Sequence, residues 1–164
     1  MRDDQDCRAN RPASRRGWRA RLFWIVSRFC ITAYRTFPFR GHLPGAIAII
    51  RRENGFVVVD RSDGYGLAFP GGVSRRGEEP SQTVQRELRE ETGLVASSAT
   101  LLFSFNDDSL YPAETSVFEV EASGEVRSSW EGRATIATLD ELGRGIMCSQ
   151  RRVVEWLEGK TSNG

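Results

Sequence analysis

The stretch from Pro80 to Gly93 constrains this chain more than any other. Pro80 sits where a first helical turn tolerates a missing N–H. Gly93 sits where a helix stops in a left-handed turn. The residues from Ser81 to Thr92 have a helical pattern between these two signals. On that helix Glu87, Glu90 and Glu91 stand at i, i+3 and i+4, so three carboxylates share one face. Like charges at this spacing destabilise a helix by roughly 0.2–0.5 kcal/mol per pair. Glu90 and Glu91 also lie near the negative end of the helix dipole, where acids are disfavoured. Two local rules are broken within one turn, and such violations are expected at functional sites.

A divalent cation would remove the conflict. Hard Mg²⁺ prefers oxygen ligands and is usually held by a few carboxylates together with substrate phosphates and water. A solvated acidic face, offset by Arg86 and Arg89, is the competing reading of the helix on its own.

Short β-rich runs surround the helix. Residues 46–51 and 56–61 flank Glu53-Asn54-Gly55, and Asn-Gly between apolar runs predicts a hairpin. Residues 67–69 form a brief strand that enters Pro70-Gly71-Gly72. Further strands are expected at 100–105, 116–121 and 135–138, and a closing helix at 149–158. Strands before and after one central helix predict an α/β fold with a mixed sheet covered by helices.

The N-terminal quarter differs in character. Residues 1–40 hold ten Arg and three Asp, whereas residues 41–164 hold twelve Arg, one Lys and nineteen acids. A basic arm on an acidic body points to an anionic partner for the arm. Residues 1–17 are polar and Arg-rich, and disorder is expected there. Residues 18–37 read as an amphipathic helix: Trp18, Leu22, Ile25, Phe29 and Ala33 make an apolar face, and Arg21, Arg28 and Arg35 make a basic stripe. Such a helix can lie on an anionic membrane surface, pack on the body or pair with a second copy. Pro38, Gly41 and Pro44 mark a linker, dividing the chain into a 1–40 segment and a 41–164 domain.

No apolar run approaches the ~20 residues of a spanning helix. Cys7, Cys30 and Cys148 have no metal spacing, and their odd, sparse count fits a reducing cytoplasm. A cytoplasmic protein, in peripheral membrane contact if the basic helix binds lipid, is the expectation.

The segment from Gly72 to Leu94 carries a specific resemblance. It reads Gly72, five residues, Glu78, seven residues, then Arg86-Glu87-Leu88-Arg89-Glu90-Glu91-Thr92-Gly93-Leu94. This resembles the signature of the Nudix hydrolase family, G-x5-E-x7-R-E-U-x-E-E-x-G-U with U apolar, at all seven fixed and both apolar positions. The strand order extends the likeness over about 44–160. The resemblance implies an α/β/α sandwich with a mixed β-sheet. It further implies Mg²⁺- or Mn²⁺-dependent hydrolysis of a nucleoside diphosphate linked to another group. By position, it implies Glu87, Glu90, Glu91 and the backbone carbonyl of Gly71 as metal ligands. Glu78 is implied as a further catalytic carboxylate, and Arg86 as the residue that orients the glutamates. The family's base can also come from a later loop; Glu131 is the candidate, with Glu114, Glu119, Glu121 and Glu125 as alternatives.

The expected partner is a nucleotide-type small molecule, not a nucleic acid. Tyr111 and Pro112 lie near positions that mark particular substrate subgroups, but Tyr-Pro is also ordinary turn chemistry. Tyr65, Phe69, Phe103 and Trp130 could stack on a base, although strand aromatics are more often core. His42 is expected to be exposed in the linker. Two rivals remain. A non-catalytic nucleotide-sensing module is disfavoured by the intact carboxylates. A diphosphate isomerase on the same fold is disfavoured because no cysteine lies near the acidic helix in sequence.

Overall fold

The computed structural model describes residues 18–36 and 41–161. The disorder expected over residues 1–17 and the linker position Pro38 lie outside the described residues, as do the side chains of Arg21, Arg28 and Arg35. In chain order the elements are α1 (Trp18–Thr36), β1 (Leu43–Ile49), β2 (Arg51–Arg52), β3 (Gly55–Arg61), β4 (Leu67–Ala68) and β5 (Gly71–Val73). There follow α2 (Pro80–Thr92), β6 (Val95–Asp107), β7 (Ala113–Ser123), β8 (Gly132–Ala137) and α3 (Leu139–Gly145). A 3₁₀ turn at Cys148–Gln150 then leads into α4 (Arg151–Thr161).

The strands divide into two sheets. One has the order β5-β1-β7-β6 and is mixed, because β1 and β7 run parallel from Leu43↔Ala113 to Ile49↔Glu119. The other is antiparallel and centred on β3, which pairs with β2, β4 and β8. The Asn54-Gly55 hairpin forms as expected, with Arg51 opposite Phe56. Gly55 is required there: its φ is +143°, and a Cβ would sit 2.3 Å from the Ala137 carbonyl oxygen.

β1 is apolar throughout because both its faces are covered. Ala46, Ala48 and Ile50 pack with Val84 and Leu88 of α2, while Ile47 and Ile49 pack with Leu142, Val153 and Leu157 of α3 and α4. The alternation follows from the two-residue period of a strand. Helices on opposite faces of this central strand make the sandwich. Complete burial of Leu88 contributes about 1.5–3 kcal/mol.

Three features differ from the sequence reading. β6 and β7 run well beyond 100–105 and 116–121, because they pair with each other from Val95↔Ser123 to Asp107↔Ala113 while one side stays in solvent. α3 is unanticipated, although Thr138 and Glu141 form its capping box. The segment at Gly71 is a strand only by virtue of its pairing with β1.

α1 rests on the body through its second half. Ile31 packs on Ala68, Leu110 and Met147. The Tyr34 ring meets Tyr111 edge-on at 6.4 Å, and its hydroxyl donates to the Gly41 carbonyl at 2.9 Å. Leu22, Ile25, Val26 and Phe29 remain about half exposed or more. Among the described residues, no helix is long and apolar enough to cross a membrane.

Candidate active site

Two glycines allow the site to assemble. Antiparallel pairing sets Gly71 against Ile47 and Gly72 against Ala46. A Cβ on Gly71 would lie 2.2 Å from the Ala46 carbonyl oxygen, and one on Gly72 would lie 2.5 Å from Glu87 Oε1. The bare backbone therefore lets α2 bring a carboxylate against β5. The helix is held at that edge by Val84 and Leu88, both fully buried. Its ends fall where the sequence predicts, with Pro80 opening the first turn and Gly93 turning at φ +74°. A cap absent from the sequence reading closes the N-terminus: the Glu79 N–H donates to Gln82 Oε1 at 3.0 Å.

The three helix carboxylates end up in different environments. Glu91 is only 4 % exposed and accepts the Gly71 N–H at 3.0 Å, whereas the Glu90 side chain is 52 % exposed. Arg86 organises the rest. Its Nε and Nη2 each donate to Glu78 at 2.8 Å, and its Nη1 reaches Glu87 at 2.6 Å and Glu90 at 3.4 Å. Glu78 also accepts the Arg75 N–H at 2.7 Å. The Arg75 guanidinium meets Glu90 at 3.3 Å. One planar guanidinium thus ties the loop to two helix carboxylates, a task its fork suits and an ammonium does not.

The electrostatics follow from this placement. The Arg86 hydrogen bonds, aided by the Arg75 N–H, hold the Glu78 carboxyl down at about 2. The same Glu78 contact raises Arg86. Burial pushes Glu91 up to about 8 against the pull of the Gly71 N–H and of Arg61, and the Glu131 and Glu87 charges add to the rise. Burial, then the Glu87 charge, also raises Glu131.

A cavity of about 570 Å³ collects these groups. Its polar wall includes the Gly71 backbone and the side chains of Arg86, Glu87, Glu90, Glu91 and Glu131, together with Arg61 and Arg75. Its apolar wall includes Leu43, Leu110, Tyr111 and Met147, with Val26, Cys30 and Ile31 from α1. Of the residues the sequence singles out, Glu78 does not line it; both of its oxygens are held by Arg86. Glu114, Glu119, Glu121 and Glu125 also lie outside the lining. Glu119 pairs with Arg51 at 3.0 Å, and exposed His42 pairs with Asp108 at 3.2 Å. Phe69 is core, Phe103 packs on Trp156, and Trp130 is exposed.

The donors are all oxygens on carboxylates and backbone, which suits a hard divalent cation rather than a soft one. Among the described residues no three acidic, His or Cys side chains are drawn together closely enough to form a ready-made cation cage. Arg86 stands between Glu87 and Glu90 instead. The excess of buried carboxylate, with Glu91 pushed up to about 8, is the feature that a cation would relieve.

Sequence reasoning missed Arg61 and Cys30. Arg61 is the last residue of β3, and only the β3–β8 pairing, which sets it opposite Gly132, brings it beside Glu131. It is paired with fully buried Asp63, Nε to Oδ1 at 3.0 Å. The Arg61-Ser62-Asp63 spacing is the one local signal that could have flagged it. Cys30 enters through the docking of α1, which no local pattern encodes.

Comparison with known proteins bears on the same region. The NUDIX domain model matches residues 41–156. An 8-oxo-dGTP diphosphatase of Haemophilus influenzae is 40 % identical over 74 residues, 42 % of this chain and 53 % of that protein. An 8-oxo-dGTP diphosphatase of Escherichia coli is 41 % identical over 61 residues, 34 % of this chain and 47 % of that protein. The chain thus spans about half the length of these curated relatives. The crystal structure of the MutT protein from Methanosarcina mazei Go1 superimposes with a TM-score of 0.64 at 20 % identity, covering 74 % of this chain and 96 % of that one, a likeness of fold.

Proposed function

This chain belongs to the NUDIX domain family, and we propose that it is a divalent-metal-dependent hydrolase that cleaves a pyrophosphate bond in a nucleoside diphosphate linked to another group. The observation that carries this reading is the convergence of Glu87, Glu90, Glu91 and Glu131 on one cavity beside the bare backbone of Gly71 and Gly72. The relatives named above are 8-oxo-dGTP diphosphatases, so nucleoside triphosphates of that kind are the first substrates to test.

Glu87, Glu90 and Glu91, with the Gly71 carbonyl, would hold Mg²⁺ or Mn²⁺. When bound, the cation polarises phosphoryl oxygens and acidifies a bound water. Arg86 keeps Glu87 in place through its grip on Glu78, so both act as positioning residues. Arg61 and Arg75 supply positive charge in the wall that receives the phosphates. Burial raises the Glu131 carboxyl, which makes it a stronger base, and Glu131 would take the proton of the attacking water.

The test is a panel of nucleoside triphosphates and nucleoside diphosphate conjugates with Mg²⁺ or Mn²⁺, read as phosphate released after coupling to a phosphatase. Metal-dependent turnover is expected on at least one member, and Glu90→Gln should lower it by orders of magnitude. Undiminished turnover in chelator would overturn the proposal. Isomerisation of an allylic diphosphate is the second reading, favoured by one observation, the presence of Cys30 in the cavity wall. Double-bond migration on such a substrate without hydrolysis of any nucleotide would select it.

A further inference from the structure

We infer that α1 is part of the substrate pocket: Val26, Cys30 and Ile31 form a wall that seats the organic group of the substrate beyond its phosphates, and so help decide which nucleotides are accepted. The inference rests on the nucleotide-hydrolase reading above and assigns a specificity role to a helix that lies ahead of the matched NUDIX region.

Val26 and Cys30 stand one helical turn apart, and Ile31 follows, so a single face of α1 runs along the cavity. That face is anchored rather than loose. Ile31 packs on Ala68, Leu110 and Met147, and Tyr34 meets Tyr111, itself a lining residue, edge-on. The cavity holds two chemistries in one space. Phosphates belong with the arginines and the cation-binding carboxylates, which leaves the apolar surface of α1, Leu110, Tyr111 and Met147 for the rest of the molecule. A flat group with apolar faces and a few polar edges fits such a wall, and a nucleobase is that group. A volume of about 570 Å³ lies within the range that accommodates a whole small ligand. Removing α1 would leave one side of this space open to solvent.

Cys30 provides a direct readout, because its thiol is free and exposed while lining the cavity. The full-length chain is treated with N-ethylmaleimide in Mg²⁺, and modification of Cys30 is followed by peptide mass spectrometry. The α,β-methylene analogue of dGTP, at about ten times its Kd, should slow modification about tenfold, while inorganic triphosphate should leave the rate unchanged. In the second arm, Cys30→Trp in the full chain should raise KM for the responsive nucleotide about tenfold with kcat within about twofold. The same variant should lower kcat/KM for ribose 5-triphosphate, which lacks a base, far less than for the nucleotide. Phe29→Ser, on the same helix but outside the cavity lining, is the control and should not change KM. Equal modification with and without the nucleotide analogue would overturn the inference, as would a Cys30→Trp variant with unchanged KM. Protection of Cys30 without hydrolysis of any nucleotide would overturn the proposed function and leave the α1 wall standing.

Discussion

Glu91 in the metal-free protein is an acid held where its charge is poorly solvated, and Glu91→Gln tests that statement. Burial carries its carboxyl from the ordinary value of 4.5 to about 8 in the folded chain. The folded state therefore binds one proton more than the unfolded state across that window. Stability is fully present below about 4.5 and falls as pH rises toward 8, at about 1.4 kcal/mol per pH unit. Between pH 5 and pH 7 the loss from this group is about 3 kcal/mol, or roughly 6–12 °C in Tm for a chain of this size. Gln keeps the shape and can still accept the Gly71 N–H, but it has no proton to lose. The assay is thermal or urea unfolding of wild type and Glu91→Gln in chelator at pH 5 and pH 7. The two should be near equal at pH 5, and the variant should be about 3 kcal/mol more stable at pH 7. Glu131 contributes a slope of the same sign and is hydrogen-bonded to Glu91, so the difference between the two proteins reports Glu91 together with its coupling to Glu131. Saturating Mg²⁺ at pH 7 should then restore stability to the wild type, by about 2.7 kcal/mol at a hundred times its Kd, and far less to the variant. A wild-type-minus-variant difference that is the same at both pH values would refute the reasoning.

Further outcomes follow from the same geometry. Arg86→Met strips the fork from Glu78 and Glu87 and should destabilise the fold by about 2–4 kcal/mol in urea, because partly buried carboxylates lose their partner; Arg86→Lys should recover stability better than activity, since an ammonium cannot make both Glu78 bonds. Gly71→Ala drives a Cβ into the Ala46 carbonyl and should lower Tm, whereas Gly72→Ala meets a rotatable Glu87 side chain and should lower activity with Tm nearly kept; equal effects of the two in paired melting and turnover assays would contradict this. Glu131→Gln should lower kcat with little change in Mg²⁺ affinity, while Glu78→Gln should lower kcat and also weaken Mg²⁺ binding by loosening Arg86, a contrast that calorimetric titration of both variants with Mg²⁺ would check.

The local part of this protein was legible from the order of its residues. Pro80 and Gly93 set the ends of α2, Asn54-Gly55 set the hairpin, and Gly72 through Leu94 carried the family likeness, because turns, caps and helix faces depend on neighbours within a few positions. What the sequence could not express was distance across the chain. It put Glu87, Glu90 and Glu91 on one face but could not say that Glu91 is buried and Glu90 exposed, because that depends on how α2 meets the strand at Gly71. It offered five candidates for a later carboxylate, and only the pairing of β3 with β8 singles out Glu131 by setting it in the cavity with Arg61. It divided the basic N-terminal segment from the acidic body, whereas docking through Ile31 and Tyr34 makes α1 a wall of the same cavity. Periodicity fixes the face a residue occupies on its own helix or strand; only tertiary packing decides what that face meets, and so how well its charges are solvated and which of them share a site.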